Sequence, residues 1–109
     1  MDDFSNPGFL NSHGLTPSES NFIAPGKRPL SSMSPIIVVD NNNQVRLVLG
    51  SSGGPKIISA IAQVAIKCLW MGMDIKSAID DKRIYHQLKP GYVEYEKGFS
   101  KVIFWQKFK

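Results

Sequence analysis

The hexapeptide Gly50-Ser51-Ser52-Gly53-Gly54-Pro55 divides two segments of different periodicity, and that junction limits the folds open to this chain. Before it, Ile36, Ile37, Val38 and Val39 form a β-branched run, residues 40–43 are a turn cluster, and residues 44–49 are a second apolar-rich run. This pattern predicts a β-hairpin with a loop of about four residues. After it, Lys56, Ser59, Gln63 and Lys67 recur at steps of three and four and draw one narrow polar stripe along an otherwise apolar helix over 56–70. Pro55 suits the first turn of that helix, where its missing N–H has no intrahelical partner to lose. A helix so apolar is expected to be buried around most of its circumference, against the hairpin and against something larger. Gly72 ends it, and Asp74 is the expected N-cap of a short helix over 75–80. Alternating apolar and acidic residues over 92–96 predict a short strand.

The first third of the chain has a different character. Pro7, Gly8, Gly14, Pro17, Pro25, Gly26 and Pro29 interrupt residues 1–33 too often for a long helix. A stretch of that length without regular structure is uncommon inside a compact domain and is typical of binding loops and lids. Phe4, Phe9, Leu10, Phe22, Ile23 and Leu30 recur through it, which favours an ordered binding loop over a disordered leader. A length of 109 residues, with 42% hydrophobic and 20% charged residues, fits one small folded domain. The expected division is a substrate-binding loop over 1–34, a body of hairpin, helices and strand over 35–100, and an atypical tail over 101–109. Val102, Ile103, Phe104, Trp105 and Phe108 crowd that tail and need a cover that the sequence does not identify.

Several function classes drop out. The net charge of +4 comes from lysines and arginines placed singly or in pairs, with no arginine-rich helix, zinc spacing or aromatic RNA-binding motif, so no nucleic-acid partner is expected. Cys68 is the sole cysteine, which excludes an intrachain disulfide; in its apolar run it is read as a small buried hydrophobe. His86 has no metal-ligand partners in view, and neither a metal nor a cofactor is expected. No stretch approaches the roughly 20 apolar residues of a membrane span. Met1 is followed by two aspartates rather than by the basic and apolar leader of a signal peptide.

Three short segments hold the chemistry. Glycines at a strand-to-helix turn let successive N–H groups point toward an anion, so Gly53 and Gly54 can face a phosphate or the oxyanion of a tetrahedral intermediate. The lysine and hydroxyl residue of a phosphate-binding P-loop are absent after Gly54. Ser31 and Ser32, following Pro29-Leu30, offer two hydroxyls and two backbone donors to a carboxylate. A carboxylate in Met1-Asp2-Asp3-Phe4-Ser5 can pair with an ammonium group. Each has a plainer reading when taken alone: a tight turn, a polar cap before a strand, a solvated terminal charge.

Taken together in order and spacing, the three segments resemble one family. Met-Asp-Asp-Phe-Ser, Pro-Gly-Lys-Arg-Pro-Leu-Ser-Ser-Met-Ser-Pro and Gly-Ser-Ser-Gly-Gly are similar to segments of the gamma-glutamyltranspeptidases, and Glu96-Lys97-Gly98-Phe99-Ser100 resembles the bacterial members. The resemblance runs from residue 1 to about residue 100. It implies an α+β chain forming part of an N-terminal-nucleophile hydrolase fold, an αββα sandwich. It also implies cleavage of the γ-glutamyl amide of glutathione, with transfer to water or an acceptor amine by a threonine nucleophile. On that resemblance Asp3 holds the substrate α-ammonium, Ser31 and Ser32 hold its α-carboxylate, and the Gly53 and Gly54 amides form the oxyanion hole. The implied partners are a γ-glutamyl compound, a large subunit and the remainder of the small subunit, in a periplasmic or extracellular setting. The family's nucleophile falls upstream of Met-Asp-Asp. Thr16, the only threonine in the sequence, does not match it. His13 falls where several members carry an aromatic residue on a loop over the pocket. The chain alone is therefore expected to be inactive, and the alternative is a non-catalytic relic or interaction module.

Overall fold

Asp40 closes the hairpin. Its carboxylate accepts the N–H groups of Asn42 at 2.8 Å and Gln44 at 3.0 Å, while its own N–H donates to the Gln44 carbonyl at 2.9 Å. Asn43 takes the left-handed conformation (φ 60°), which asparagine tolerates better than most side chains. The turn joins β1 (Ile36–Val39) to β2 (Val45–Leu49) in an antiparallel pair, with a register irregularity between Val38 and Val39. Period-two alternation half-buries Ile36, Val38, Leu47 and Leu49 and leaves Ile37, Val39, Val45 and Val48 exposed.

The computed structural model describes residues 4–88 and 91–100. Asp3 and the tail over 101–109 lie outside them. In order, the elements are a 3-10 turn (Glu19–Asn21), β1, β2, α1 (Lys56–Leu69), α2 (Ile75–Asp80), β3 (Ile84–Tyr85) and β4 (Glu94–Tyr95). β3 and β4 form a second antiparallel pair, which makes the chain a small α+β structure with two two-stranded sheets. The hairpin, both helices and the Asp74 cap stand as expected; the Asp74 carboxylate accepts the Ser77 N–H at 3.0 Å. The 3-10 turn and β3 are additions. The strand expected over 92–96 shrinks to Glu94 and Tyr95, which pair with the two residues of β3, and one further backbone bond runs from the Glu96 N–H to the Arg83 carbonyl at 3.0 Å.

The helix end has a physical cause. The N–H groups of Trp70 and Met71 both donate to the Ile66 carbonyl, and the Met73 N–H returns to the Lys67 carbonyl at 3.0 Å. Gly72 supplies the left-handed step (φ 70°) that this closure needs.

The polar stripe of α1 faces the β3–β4 pair. Gln63 donates from Nε2 to the Ile84 carbonyl at 2.8 Å and accepts the Ile84 N–H on Oε1 at 3.1 Å, so one side chain pairs both backbone groups of a strand residue. Lys56 pairs with Glu94 at one end of the stripe; Lys67 reaches Asp81 at 3.0 Å at the other. Arg83 binds the Glu96 carboxylate through Nε at 2.9 Å and Nη2 at 2.6 Å, while the two residues also exchange backbone contacts. Among the described residues the buried core is Ile61, Val64 and Ala78, where α1 meets α2. The helix packs mainly on α2 and β3 rather than on the hairpin, and Ile58, Ile66 and Leu69 remain exposed. Cys68 is half-buried rather than enclosed.

Two predictions follow from the docking of β3–β4. Replacing Gln63 with alanine removes a bond of about 1 kcal/mol or slightly more, so exchange at the Ile84 amide should rise about tenfold as read by hydrogen–deuterium exchange. An unchanged rate would show that the helix does not hold the strand. The Arg83 guanidinium holds the Glu96 carboxyl below its ordinary value of 4.5. A depressed native pKa stabilises the fold above the ordinary glutamate value, and that stability is lost as pH falls through the native one. Melting temperature should therefore drop on acidification below about pH 4.5, and Glu96→Gln should flatten part of that drop.

Candidate functional site

The glycine turn between β2 and α1 carries two of the candidate site residues, Gly53 and Gly54. Gly53 (φ 134°) and Gly54 (φ 59°) are successive positive-φ residues. Their carbonyls accept the Lys56 and Ile57 N–H groups at 3.3 and 3.1 Å, which begins the helix. Among the described residues, the Gly53 and Gly54 N–H groups donate to no hydrogen-bond partner. Two unengaged donors beside a helix N-terminus are suited to an anion or a developing oxyanion.

A ring closes over the second glycine. A Cβ added at Gly54 would lie 2.7 Å from His13 Nε2 and 2.9 Å from Cε1. His13 reaches that position on a tight loop built by Asn11, whose side-chain oxygen accepts the His13 and Leu15 N–H groups, each at 2.9 Å. The Asn11 N–H donates to the Leu15 carbonyl at 3.0 Å, and Gly14 takes a left-handed φ of 72°. The turn-forming composition of Asn11-Ser12-His13-Gly14 was the available sequence signal for a loop. Its landing place on the glycine turn was not encoded locally.

Behind the turn, a cavity of about 310 Å³ opens between α1 and the β3–β4 pair, lined among others by Ser52, Gly53, Lys56, Gln63, Tyr85 and Glu94. Its charges are matched in pairs. Glu94 beside it raises the Lys56 pKa, and burial pushes the Tyr85 phenol up. Lys56 also lies 5.5 Å from the centre of the Tyr85 ring. Among the described residues, no group of three or more His, Cys, Asp or Glu gathers where a metal ion would sit.

The serine pair lies on a separate segment and does not line that cavity. Ser31 Oγ accepts the Met33 N–H at 3.1 Å, and the Ser32 carbonyl accepts the Ser34 hydroxyl at 3.0 Å. The segment is anchored one residue earlier, where the Leu30 N–H donates to Asn21 Oδ1 at 2.9 Å. The same residue holds the start of the described chain. Ser5 donates its N–H to the Asn21 carbonyl at 3.1 Å, and Asn21 Nδ2 donates to Ser5 Oγ at 3.3 Å. The structure thus links the segment that follows Asp3 to the segment that carries Ser31 and Ser32, and it places Gly53 and Gly54 on the strand-to-helix turn.

A family model described as Gamma-glutamyltranspeptidase matches residues 1–106. Scoloptoxin SSD14 of Scolopendra dehaani is 47% identical over 103 residues, covering 94% of this chain and 18% of that protein. The glutathione hydrolase proenzyme of Escherichia coli strain K12 is 44% identical over 101 residues, covering 92% of this chain and 17% of that protein. A solved structure of a Helicobacter pylori gamma-glutamyltranspeptidase mutant superposes with a TM-score of 0.87 at 42% identity, covering 97% of this chain and 57% of that one. The chain therefore spans less than a fifth of the length of either of these two curated relatives.

The glycine turn can be tested by enlarging it. Gly54→Ala meets a backbone penalty of about 1–2 kcal/mol for a side chain at left-handed φ, whereas the exposed imidazole can swing aside. Thermal melting should show nearly the same loss with His13 present or replaced by alanine, while the His13 ring resonances move in Gly54→Ala. A loss that disappears in the His13→Ala background would put the penalty in the ring contact instead.

Proposed function

Because the chain belongs to the gamma-glutamyltranspeptidase family, we propose that it is the substrate-gripping segment of a glutathione hydrolase that passes the γ-glutamyl group to water or to an amino acid or peptide. The observation that carries this reading is the pair of N–H groups at Gly53 and Gly54, on the turn that opens α1, which donate to no partner among the described residues. The whole active centre is assembled with a large subunit and further small-subunit sequence. In it, the loop over 1–34 and the body over 35–100 contribute to an αββα sandwich. The family relation supports a periplasmic or extracellular setting, and among the described residues no helix is long and apolar enough to cross a membrane.

A γ-glutamyl donor carries a free amino-acid zwitterion at one end and the scissile amide at the other. Asp3 accepts hydrogen bonds from its α-ammonium, and the Ser31 and Ser32 hydroxyls donate to its α-carboxylate, as charge-assisted bonds that fix both ends of the zwitterion. Fixing it holds the γ-carbonyl beside the nucleophile and removes part of the entropic barrier. A threonine hydroxyl from sequence outside these 109 residues attacks that carbonyl, its proton passing to the threonine's own amine. The carbonyl oxygen becomes an oxyanion held by the Gly53 and Gly54 N–H groups, a contribution on the order of 3 kcal/mol per donor. Collapse expels the leaving amine with that proton, and water or an acceptor amine then releases the acyl group. No observation favours the alternative of a non-catalytic module over this reading.

The experiment is steady-state kinetics with a chromogenic γ-glutamyl anilide. The purified 109-residue chain should release no amine above buffer, whereas the complete processed enzyme that carries this segment should turn over. In that enzyme, Ser31→Ala/Ser32→Ala should raise KM at least tenfold with a smaller change in kcat, the signature of lost ground-state binding. An unchanged KM would remove the serine pair from the site.

A further inference from the structure

The substrate grip proposed above has two halves on segments far apart in sequence. Asp3 lies two residues before Ser5, and the serine pair begins one residue after Leu30. Asn21 touches both anchor points. Its backbone carbonyl accepts the Ser5 N–H at 3.1 Å and its Nδ2 donates to Ser5 Oγ at 3.3 Å, while its Oδ1 accepts the Leu30 N–H at 2.9 Å. A single half-buried carboxamide uses both of its ends, one for each segment.

The surroundings fix the side chain in that role. The 3-10 turn Glu19–Asn21 is closed by Phe22 N–H donating to the Glu19 carbonyl at 3.1 Å, and the Asn21 N–H donates to the Ser18 carbonyl at 2.9 Å. The Ser18 N–H in turn donates to Ser5 Oγ at 3.1 Å, so Ser5 is held from two positions of the same turn. An isolated bridge between Ser5 and Phe22 continues the contact along the backbone. Pro29, with φ fixed by its ring, precedes Leu30 and limits how the serine segment can leave that anchor.

We infer that Asn21 is a positioning residue that sets the span between the ammonium-binding and carboxylate-binding halves of the donor site. The inference rests on the substrate reading given above. A zwitterion presents its two charges at a fixed separation, so a grip of matching span binds it better than either half alone. Asn21 acts through Ser5 and Leu30. Its loss should therefore weaken recognition of the complete zwitterion more than it slows the chemical step. Aspartate at this position keeps an oxygen for the Leu30 N–H but has no N–H for Ser5, and should restore part of the effect.

The test uses the complete processed enzyme that carries this segment, with two donors. One is a γ-glutamyl anilide; the other is the 4-aminobutyryl anilide, which keeps the ammonium and lacks the α-carboxylate. Asn21→Ala should raise KM for the first at least tenfold with kcat changed less than threefold. It should shrink the preference for the first donor over the second by a similar factor, with Asn21→Asp lying between alanine and the parent. A preference unchanged in Asn21→Ala would overturn the inference, as would an equal loss on both donors accompanied by a lowered melting temperature. Ser31→Ala/Ser32→Ala separates the two levels. If that variant abolishes the preference while Asn21→Ala leaves it intact, the positioning role alone falls. If it too leaves the preference intact, the substrate reading falls with it.

Discussion

The pairing of Gln63 with both backbone groups of Ile84 is the interaction on which the lower half of the molecule depends. A two-residue strand cannot sustain itself, because a two-stranded ribbon of this size is marginal in water. Here the missing ladder partner is a carboxamide projecting from a helix. With Ile84 fixed, its neighbours Arg83 and Tyr85 meet Glu96 and Lys56 respectively, and both line the same cavity. The cavity behind the glycine turn lies between the helix and this small sheet, with Gln63 in its lining.

That arrangement gives the polar stripe of α1 a meaning different from the ordinary one. A narrow polar face on an apolar helix is usually the solvent face. In this chain Lys56, Gln63 and Lys67 are instead occupied by Glu94, Ile84 and Asp81, and the apolar residues Ile58, Ile66 and Leu69 point outward. The hairpin repeats the pattern, with Ile37, Val39, Val45 and Val48 exposed on one face. Such surfaces are those of an internal piece of a larger fold.

The local elements were legible because short-range rules determine them. Alternation and a turn cluster give the hairpin, three-and-four spacing gives α1, and an aspartate before an apolar step gives the cap at Asp74. Two-residue strands carry no periodicity, so β3 was invisible and β4 was overextended. The pairing that creates them comes from a glutamine 21 residues away in sequence from Ile84. The candidate site divides in the same way. The glycine turn was legible from composition and position as a strand-to-helix turn, whereas Ser31 and Ser32 read locally as a polar cap and enter the site only through the family resemblance. The tethering of Ser5 to Leu30 through Asn21, and the approach of His13 to Gly54, are long-range facts that no window of the sequence contains.

The contact between His13 and Gly54 makes the two sides unequal in how they can change over evolutionary time. The turn is restricted by a backbone conformation that suits glycine, whereas the ring lying over it is an exposed side chain that can swing aside. Shortening or reshaping the loop moves only that ring and leaves the conformational demand at position 54 where it was. Position 13 carries no such demand, since a smaller residue in place of the imidazole would simply uncover the turn. Sequence drift at this junction should therefore accumulate on the loop, with the glycine turn as the fixed template against which successive loops are fitted.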